Sequence, residues 1–257
     1  MKNRSSDLLP CLAARVKHKL QIKNPKTIAY DINFGCPGWL RGMIEADYYI
    51  KSGDAKRIMV IGADTLSRVY DPHDRDSMIY ADGAGATILE AIKNRKPIGI
   101  LSHASRTDTA EHAYMLWMDK SYDHNYKGNE LFLKMKGRKL YEYALKNVPS
   151  VVQESLDKAK LTINDITKVL IHQANAKMDE AILKLLLKLY NINEMLPDLM
   201  PMTIADLGNS SVATIPTLLD LIINKKLENH ELHRGNIIVF ASVGAGMNIN
   251  SMVYRIP

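Results

Sequence analysis

Three short stretches hold residues able to do acyl chemistry. In "NFGCPGW", Cys36 lies between an apolar run and a helix-like run, with Pro37 directly behind it. Proline favours the first helical position, where its missing N–H costs nothing. With Pro37 there, Cys36 is predicted to be the helix N-cap, its sulfur facing unpaired N–H groups and the positive end of the dipole. Such a setting lowers a thiol pKa from about 8.5 by one unit or more. Gly35 and Gly38 permit a sharp turn and the close approach of a ligand. "VLIHQANAKM" puts His172 and Asn175 at the mouth of a strand, where the chain turns into a helix. "ADLGNSSVAT" puts Asn209 at the start of an apolar helix. A thiolate nucleophile needs a proton-handling partner and oxyanion donors, and open α/β sheets gather such groups at the carboxyl ends of strands. Taken singly, each residue has a plainer reading. A buried cysteine packs as a small hydrophobe, and a histidine after a strand is commonly structural.

Other chemistries find less support. His230 and His233 lie in a charged surface run without a third ligand, His73, His112 and His124 are scattered through loops, and no metal-binding spacing such as H-E-x-x-H occurs. No metal site is expected. "ADGAGATILEA" lacks the spacing and lysine of a P-loop; Asp82, Gly83, Ala84, Gly85 and Ala86 read instead as a tight turn whose backbone approaches the active centre. Papain-like proteases also use Cys, His and Asn in this chain order, at an interval that Cys36 and His172 fit. Their C-G-S-C-W signature and disulfide cysteines are absent.

The elements that must position these residues follow from periodicity. Residues 6–20 read as a helix, with Cys11 in its middle. "TIAYDINF" reads as a strand, 37–52 as a helix ending at Gly53, "RIMVIGAD" as a buried strand, and "GATILEAI" and "IGILSHAS" as two more. Residues 107–137 show no clear pattern. A helix over about 138–160, a strand "KVLIH", helices over 176–190 and 210–224, and closing strands "NIIVFASV" and "NSMVYRI" complete the chain. Strands alternating with helices predict α/β with mainly parallel pairing. A strand, a small polar residue, an apolar helix, a glycine and a strand occur around Cys36 and again around Asn209. Both helices are too apolar for a surface, which predicts a central position for each. No low-complexity segment or linker is evident, so one compact unit is expected.

The chain has 257 residues, 46% hydrophobic and 24% charged, as an ordinary globular protein does. Two cysteines, Cys11 and Cys36, cannot form a disulfide framework, and free thiols in a reducing, cytoplasmic compartment are expected. No apolar run reaches the roughly 18 residues of a membrane span. Lys and Arg number 34 against 28 Asp and Glu, a formal charge of +6 that suits an acidic or phosphate-bearing partner. No Arg-rich or aromatic-interleaved basic tract points to nucleic acid.

The motifs "GCPG", "DGAGA", "HQAN" and "GNSS", in this order, resemble the β-ketoacyl-acyl carrier protein synthase III family of the thiolase superfamily. The run from "FLKMKGRKLYEYALK" to "HQAN" and the closing "SVGAGMNINSMVYRI" extend the resemblance over nearly the whole chain. It implies a thiolase-like layered α/β/α/β/α fold of two similar halves, residues 1–137 carrying the cysteine and 138–257 carrying histidine and asparagine, in a homodimer. It implies a Cys36–His172–Asn209 site that takes an acyl group from acyl-CoA onto Cys36. Malonyl-acyl carrier protein then loses CO2 and attacks the thioester. His172 Nε2 and the Asn209 amide would stabilise the enolate, and the backbone N–H groups of Cys36 and Ala245 the tetrahedral oxyanion. Lys177 falls where the family often carries a basic residue near the phosphopantetheine entrance, and Gly244 lies in the glycine-rich turn. No cofactor is implied beyond the CoA and carrier-protein thioesters.

Two departures from the family pattern stand out. Relatives carry an additional opening segment, so the first half is expected to be incomplete, with an unpaired sheet edge and exposed apolar surface. Pro37 and Trp39 replace the usual small residue and phenylalanine, and Trp39 is expected to reshape the acyl pocket. An acyltransferase with another acceptor, or an inactive ketosynthase-fold subunit, are the alternatives.

Overall fold

The structure is a computed structural model and describes residues 9–94 and 96–257. It divides into a small unit ending at Asn33 and a large one spanning Phe34–Pro257, rather than forming one.

In the small unit, α1 (Leu12–Lys19) is the core of the helix predicted over 6–20, of which residues 6–8 lie outside the described residues. It begins after Pro10, because a residue that precedes proline is kept out of the helical region. Cys11 is its N-cap, not a mid-helix residue, and the Asp31 carboxylate accepts hydrogen bonds from Leu12 N–H and Ala13 N–H at 2.8 Å each. The strand predicted over 27–34 is not formed. Its apolar side chains suit a pleat, but a strand exists only where a neighbour takes up its backbone groups.

The large unit contains α2 (Gly38–Ser52), β1 (Arg57–Thr65), β2 (Asp82–Glu90), β3 (Gly99–Thr107), β4 (Leu116–Asp119), β5 (Phe132–Met135), α3 (Gly137–Ala159), β6 (Lys168–Ile171), α4 (Ala176–Leu189), α5 (Ile204–Leu207), α6 (Thr214–Ile223), β7 (Ile237–Gly244) and β8 (Asn248–Arg255). One sheet has the order β3-β8-β7-β6. Among the strands of the described residues, β6 and β7 alone pair in parallel, across the crossover that holds α4 to α6; the other strand pairs are antiparallel, against expectation. The cause is local: the three residues Ala245–Met247 cannot carry the chain back to a parallel start, so β7 and β8 close as a hairpin. β3 precedes residue 138 yet pairs with β8, the last strand. The irregular region contains the β4–β5 pair, hidden from periodicity by strands of four residues and by Lys134, which is buried.

Alternate residues of β7 sort the core. Val239 and Ala241 pack against Val148, Val152 and Leu156 of α3 and Ile182 and Leu186 of α4. Ile238 and Phe240 pack against Trp39, Leu40 and Met43 of α2 and Ile215, Leu218 and Ile222 of α6. Val60 and Leu89 join this second cluster from the β1–β2 sheet. The layers are therefore α3/α4, the four-stranded sheet, α2/α6, and the two-stranded sheet, with both predicted central helices in the middle layer. β1 is not a buried strand: its residues alternate, and the outer face of its sheet exposes Met59, Ile61 and Ile88, the last by 58%. Residues 82–86 are the start of β2, not a turn. The predicted close approach of their backbone does occur, since a Cβ on Gly83 would lie 2.8 Å from Ser210 Oγ.

Candidate active site

Cys36 stands at the loop leading into α2. The helix begins at Gly38 with Pro37 as N-cap, so Cys36, predicted to be the cap, lies one residue outside it. The far end of β7 meets this loop backbone to backbone: a Cβ on Gly244 would fall 2.6 Å from Pro37 Cδ and 3.0 Å from Cys36 Cβ. Ala245 is adjacent, its N 3.9 Å from where a Cβ on Gly35 would stand. Burial pushes the Cys36 thiol up; the Ser211 hydroxyl opposes this, Asp64 adds to it, and Cys36's own N–H opposes it. The lowered thiol expected from the sequence is thus overturned, because loss of water around the sulfur outweighs a helix end that does not cap it.

His172 continues the line of β6, its N–H donating to Ala241 O at 2.9 Å. Its ring is buried, which pulls the imidazole down to about 4 and keeps it neutral near pH 7. Nδ1 lies 2.7 Å from Thr214 Oγ1. Asn209 is held between two backbone bonds: its N–H donates to Ile79 O at 2.7 Å, and Ala81 N–H donates to Asn209 O at 2.9 Å. Its Oδ1 accepts from Ser211 N–H at 2.9 Å. That bond fixes the amide orientation and turns Nδ2 away as a donor.

Ser211 links the three. Its hydroxyl donates to Cys36 Sγ at 3.4 Å, its N–H binds Asn209, and its carbonyl accepts from the Thr214 hydroxyl at 3.1 Å. Ser211 adopts a left-handed φ of 53°, uncommon for a residue with a side chain. A half-buried thiol, a neutral imidazole and an oriented amide therefore share one hydrogen-bonded loop, a set suited to acyl transfer through a covalent thioester.

Comparison with known proteins gives this arrangement its context. The family model for 3-oxoacyl-[acyl-carrier-protein] synthase III matches residues 30–109, and that for its C-terminal part matches residues 156–256. The β-ketoacyl-[acyl-carrier-protein] synthase III of Pectobacterium atrosepticum is 32% identical, with 98% of this chain and 74% of the relative covered. The chain belongs to the 3-oxoacyl-[acyl-carrier-protein] synthase III family. The Microcystis aeruginosa synthase III is 30% identical over 91% of this chain and 69% of its own length. The crystal structure of the Aquifex aeolicus synthase III superposes with a TM-score of 0.79 at 29% identity, over 95% of this chain and 71% of that one. The fold is the thiolase-like layered fold, and the chain is an enzyme of the acyltransferase class with the family's condensing function.

Other residues singled out from the sequence fall in varied places in this synthase III fold. Trp39 is 1% exposed and meets Phe240 edge to face at 5.6 Å between ring centroids, within the core. Lys177 is exposed in the first turn of α4. Periodicity and motif reading passed over Ser211, Thr214 and Tyr80. Tyr80 forms a single β-bridge with Asn209, its hydroxyl approaches Met135 Sδ at 3.9 Å, and burial and then the nearby Cys36 push its phenol up. Ser211 lay inside the quoted "GNSS". Thr214 follows it by three residues, the interval at which a hydroxyl bonds back to a carbonyl.

Proposed function

We propose that this synthase condenses an acyl-CoA starter with malonyl-acyl carrier protein through an acyl-Cys36 intermediate. Cys36 attacks the thioester carbonyl of acyl-CoA, and its proton passes through His172 to the departing CoA sulfur. The oxyanion that forms is bound by the backbone N–H groups of Cys36 and Ala245. Malonyl-acyl carrier protein then enters and its terminal C–C bond breaks, releasing CO2. Nε2–H of His172 and Nδ2–H of Asn209 stabilise the resulting enolate, whose carbon attacks the Cys36 thioester. The C–S bond breaks, the 3-oxoacyl product leaves on the carrier protein, and the departing Cys36 thiolate takes up one proton from solvent to restore the thiol. The loop through Ser211 that joins Cys36, Asn209 and Thr214 carries this reading.

Exposed Lys177, together with the formal charge of +6, suits the phosphopantetheine arm and an acidic carrier protein. Gly244, packed against Pro37 and Cys36, is the acyl-side contact of this reading, and Trp39, sealed in the core against Phe240, would shape the acyl pocket only from behind the loop. No cofactor is required beyond the two thioesters. We expect a cytoplasmic homodimer, and the apolar outer face of the β1–β2 sheet supports burial against a further surface. The test is intact-protein mass after incubation with a panel of acyl-CoAs. A gain of one acyl group, lost in Cys36→Ala, is expected and identifies the starter; a folded sample that gains nothing would sink the proposal.

A further inference from the structure

The Thr214 hydroxyl has one proton and more than one place to put it. Thr214 Oγ1 is 2.7 Å from His172 Nδ1, 3.1 Å from the Ser211 carbonyl oxygen and 3.4 Å from the Gln173 N–H nitrogen. All three neighbours are buried. Ser211 O can only accept and Gln173 N–H can only donate, whereas Nδ1 does either according to the tautomer. With the hydroxyl proton on Ser211 O, the Thr214 oxygen accepts from Gln173 N–H and from Nδ1–H, and every partner is satisfied. The imidazole is then protonated at Nδ1 and has a lone pair at Nε2. With the hydroxyl turned toward the ring, Nδ1 accepts and Nε2 carries the proton. Ser211 O is not orphaned by this turn, because the backbone N–H of Thr214 also donates to it. Two arrangements of similar cost therefore exist at one buried hydroxyl, and among the described residues His172 Nε2 makes no hydrogen bond in either.

We infer that Thr214 is a positioning residue whose hydroxyl selects the tautomer of His172, so that one neutral ring is a base in the first half-reaction and a donor in the second. This rests on the reading of Cys36 and His172 given above. Loading needs a lone pair at Nε2: the Cys36 S–H proton moves there as the S–C bond forms, and returns from Nε2 to the CoA sulfur as that C–S bond breaks, leaving Nδ1–H unchanged. Condensation needs N–H at Nε2 to face the enolate oxygen. Between the two, the ring proton exchanges from Nδ1 to Nε2 through water while the hydroxyl turns from Ser211 O to Nδ1, with no net proton gained or lost. The arrangement with the hydroxyl on Ser211 O makes one hydrogen bond more than the other at Thr214 Oγ1 and is the resting one, so the free enzyme stands in the form that loads.

The test reads the tautomer directly, by two-bond 15N–1H correlation of the full chain labelled at histidine, with the His172 signals assigned by their loss in His172→Gln. The wild type should show a protonated Nδ1 and an unprotonated Nε2. Thr214→Val removes the rotor with nearly the same shape, and Thr214→Ala removes it with less bulk. A buried N–H without an acceptor costs more than a lone pair without a donor, so both variants should show Nε2–H. Acyl loading in them should fall about a hundredfold or more, the range of a lost general base, while malonyl decarboxylation falls far less. Thr214→Ser should restore both the tautomer and loading. Retention of Nδ1–H in the valine and alanine variants, equal losses in both half-reactions, or no rescue by serine would each overturn the inference. Failure of the wild type to load would instead count against the Cys36 reading, and the nitrogen signals would still decide the role of Thr214.

Discussion

The Ser211 hydroxyl donates to the Cys36 sulfur across 3.4 Å, from a residue held at a left-handed φ of 53°. That bond works against burial, which pushes the thiol up. A hydrogen bond to the charged form of a group favours that form, so this bond holds the thiol below where burial alone would put it. In Ser211→Ala the inflection of the iodoacetamide alkylation rate against pH should move upward, and alkylation at pH 7 should slow. Ser211→Gly loses the same hydroxyl but suits the backbone, so it should match the alanine variant in reactivity and exceed it in stability. An unchanged alkylation profile in both would remove Ser211 from the poising of the thiol.

His172 titrates far below an ordinary histidine because its ring is buried, down to about 4. The unfolded chain therefore binds a proton at this position before the folded one does. The stability contributed is complete above about pH 6.5 and is lost as pH falls from there toward 4, on the order of 3 kcal/mol in all. Urea denaturation midpoints at pH 7 and pH 5 should converge between the wild type and His172→Gln as pH falls. A histidine carbon chemical shift that titrates near 6.5 would contradict the burial argument.

Much of the fold was legible in the sequence, and the site more so than its chemistry. Gly53 marks the end of α2 because it takes a left-handed φ of 87° there, and apolar α2 and α6 could only be central. The stretch 27–34 misled because its side chains suit a strand, while pairing depends on a neighbour that no local pattern encodes. β4 and β5 were hidden by their length and by a buried lysine. At the site, the motifs located Cys36, His172 and Asn209, but the direction of the thiol shift depends on desolvation, which arises only when β7, the loop before α2 and the Ser211 segment close on one another. The role of Thr214 was illegible for the same reason: its partners are 42 residues away at His172 and three away at Ser211, and only the fold brings both to one oxygen.

Gly244 provides a steric test of this closure. Its backbone is extended, with φ −168°, so alanine meets no conformational strain there. The added Cβ would nevertheless lie 2.6 Å from Pro37 Cδ and 3.2 Å from Cys36 N. The loop before α2 must move, at a cost of about 1–3 kcal/mol as for other overpacked sites. Acyl loading by Gly244→Ala should fall at least about tenfold, because a displacement near 1 Å at a reacting atom costs up to about a hundredfold. Loading at the wild-type rate with unchanged thermal stability would show that β7 and the Cys36 loop are not in contact.

Asp71 and Lys134 form a fully buried ion pair, 0% and 1% exposed, with the lysine 3.5 Å from the centroid of the Tyr122 ring. Burial alone would raise the Asp71 carboxyl, but Lys134, the N–H groups of Tyr122 and His73, and the Ser121 hydroxyl together hold it well below the usual range. The pair ties β5 to the segment that runs through a 3-10 turn (Arg75–Ile79) to Ile79, whose carbonyl accepts from Asn209 N–H. Removing one charge strands the other in the interior, so Lys134→Met should destabilise the fold by about 3–5 kcal/mol. The double variant Asp71→Asn with Lys134→Met should recover much of that loss, since neutral partners carry no desolvated charge. The sign with pH also follows. The carboxyl is depressed in the folded state, so its contribution is present above about pH 3.9 and drains away as pH falls below it. Chemical denaturation of the four proteins of this cycle, at pH 7 and at about pH 3, measures both effects. A single variant as stable as the wild type at pH 7 would mean that the pair is not sealed from water, and Asn209 would then need another anchor.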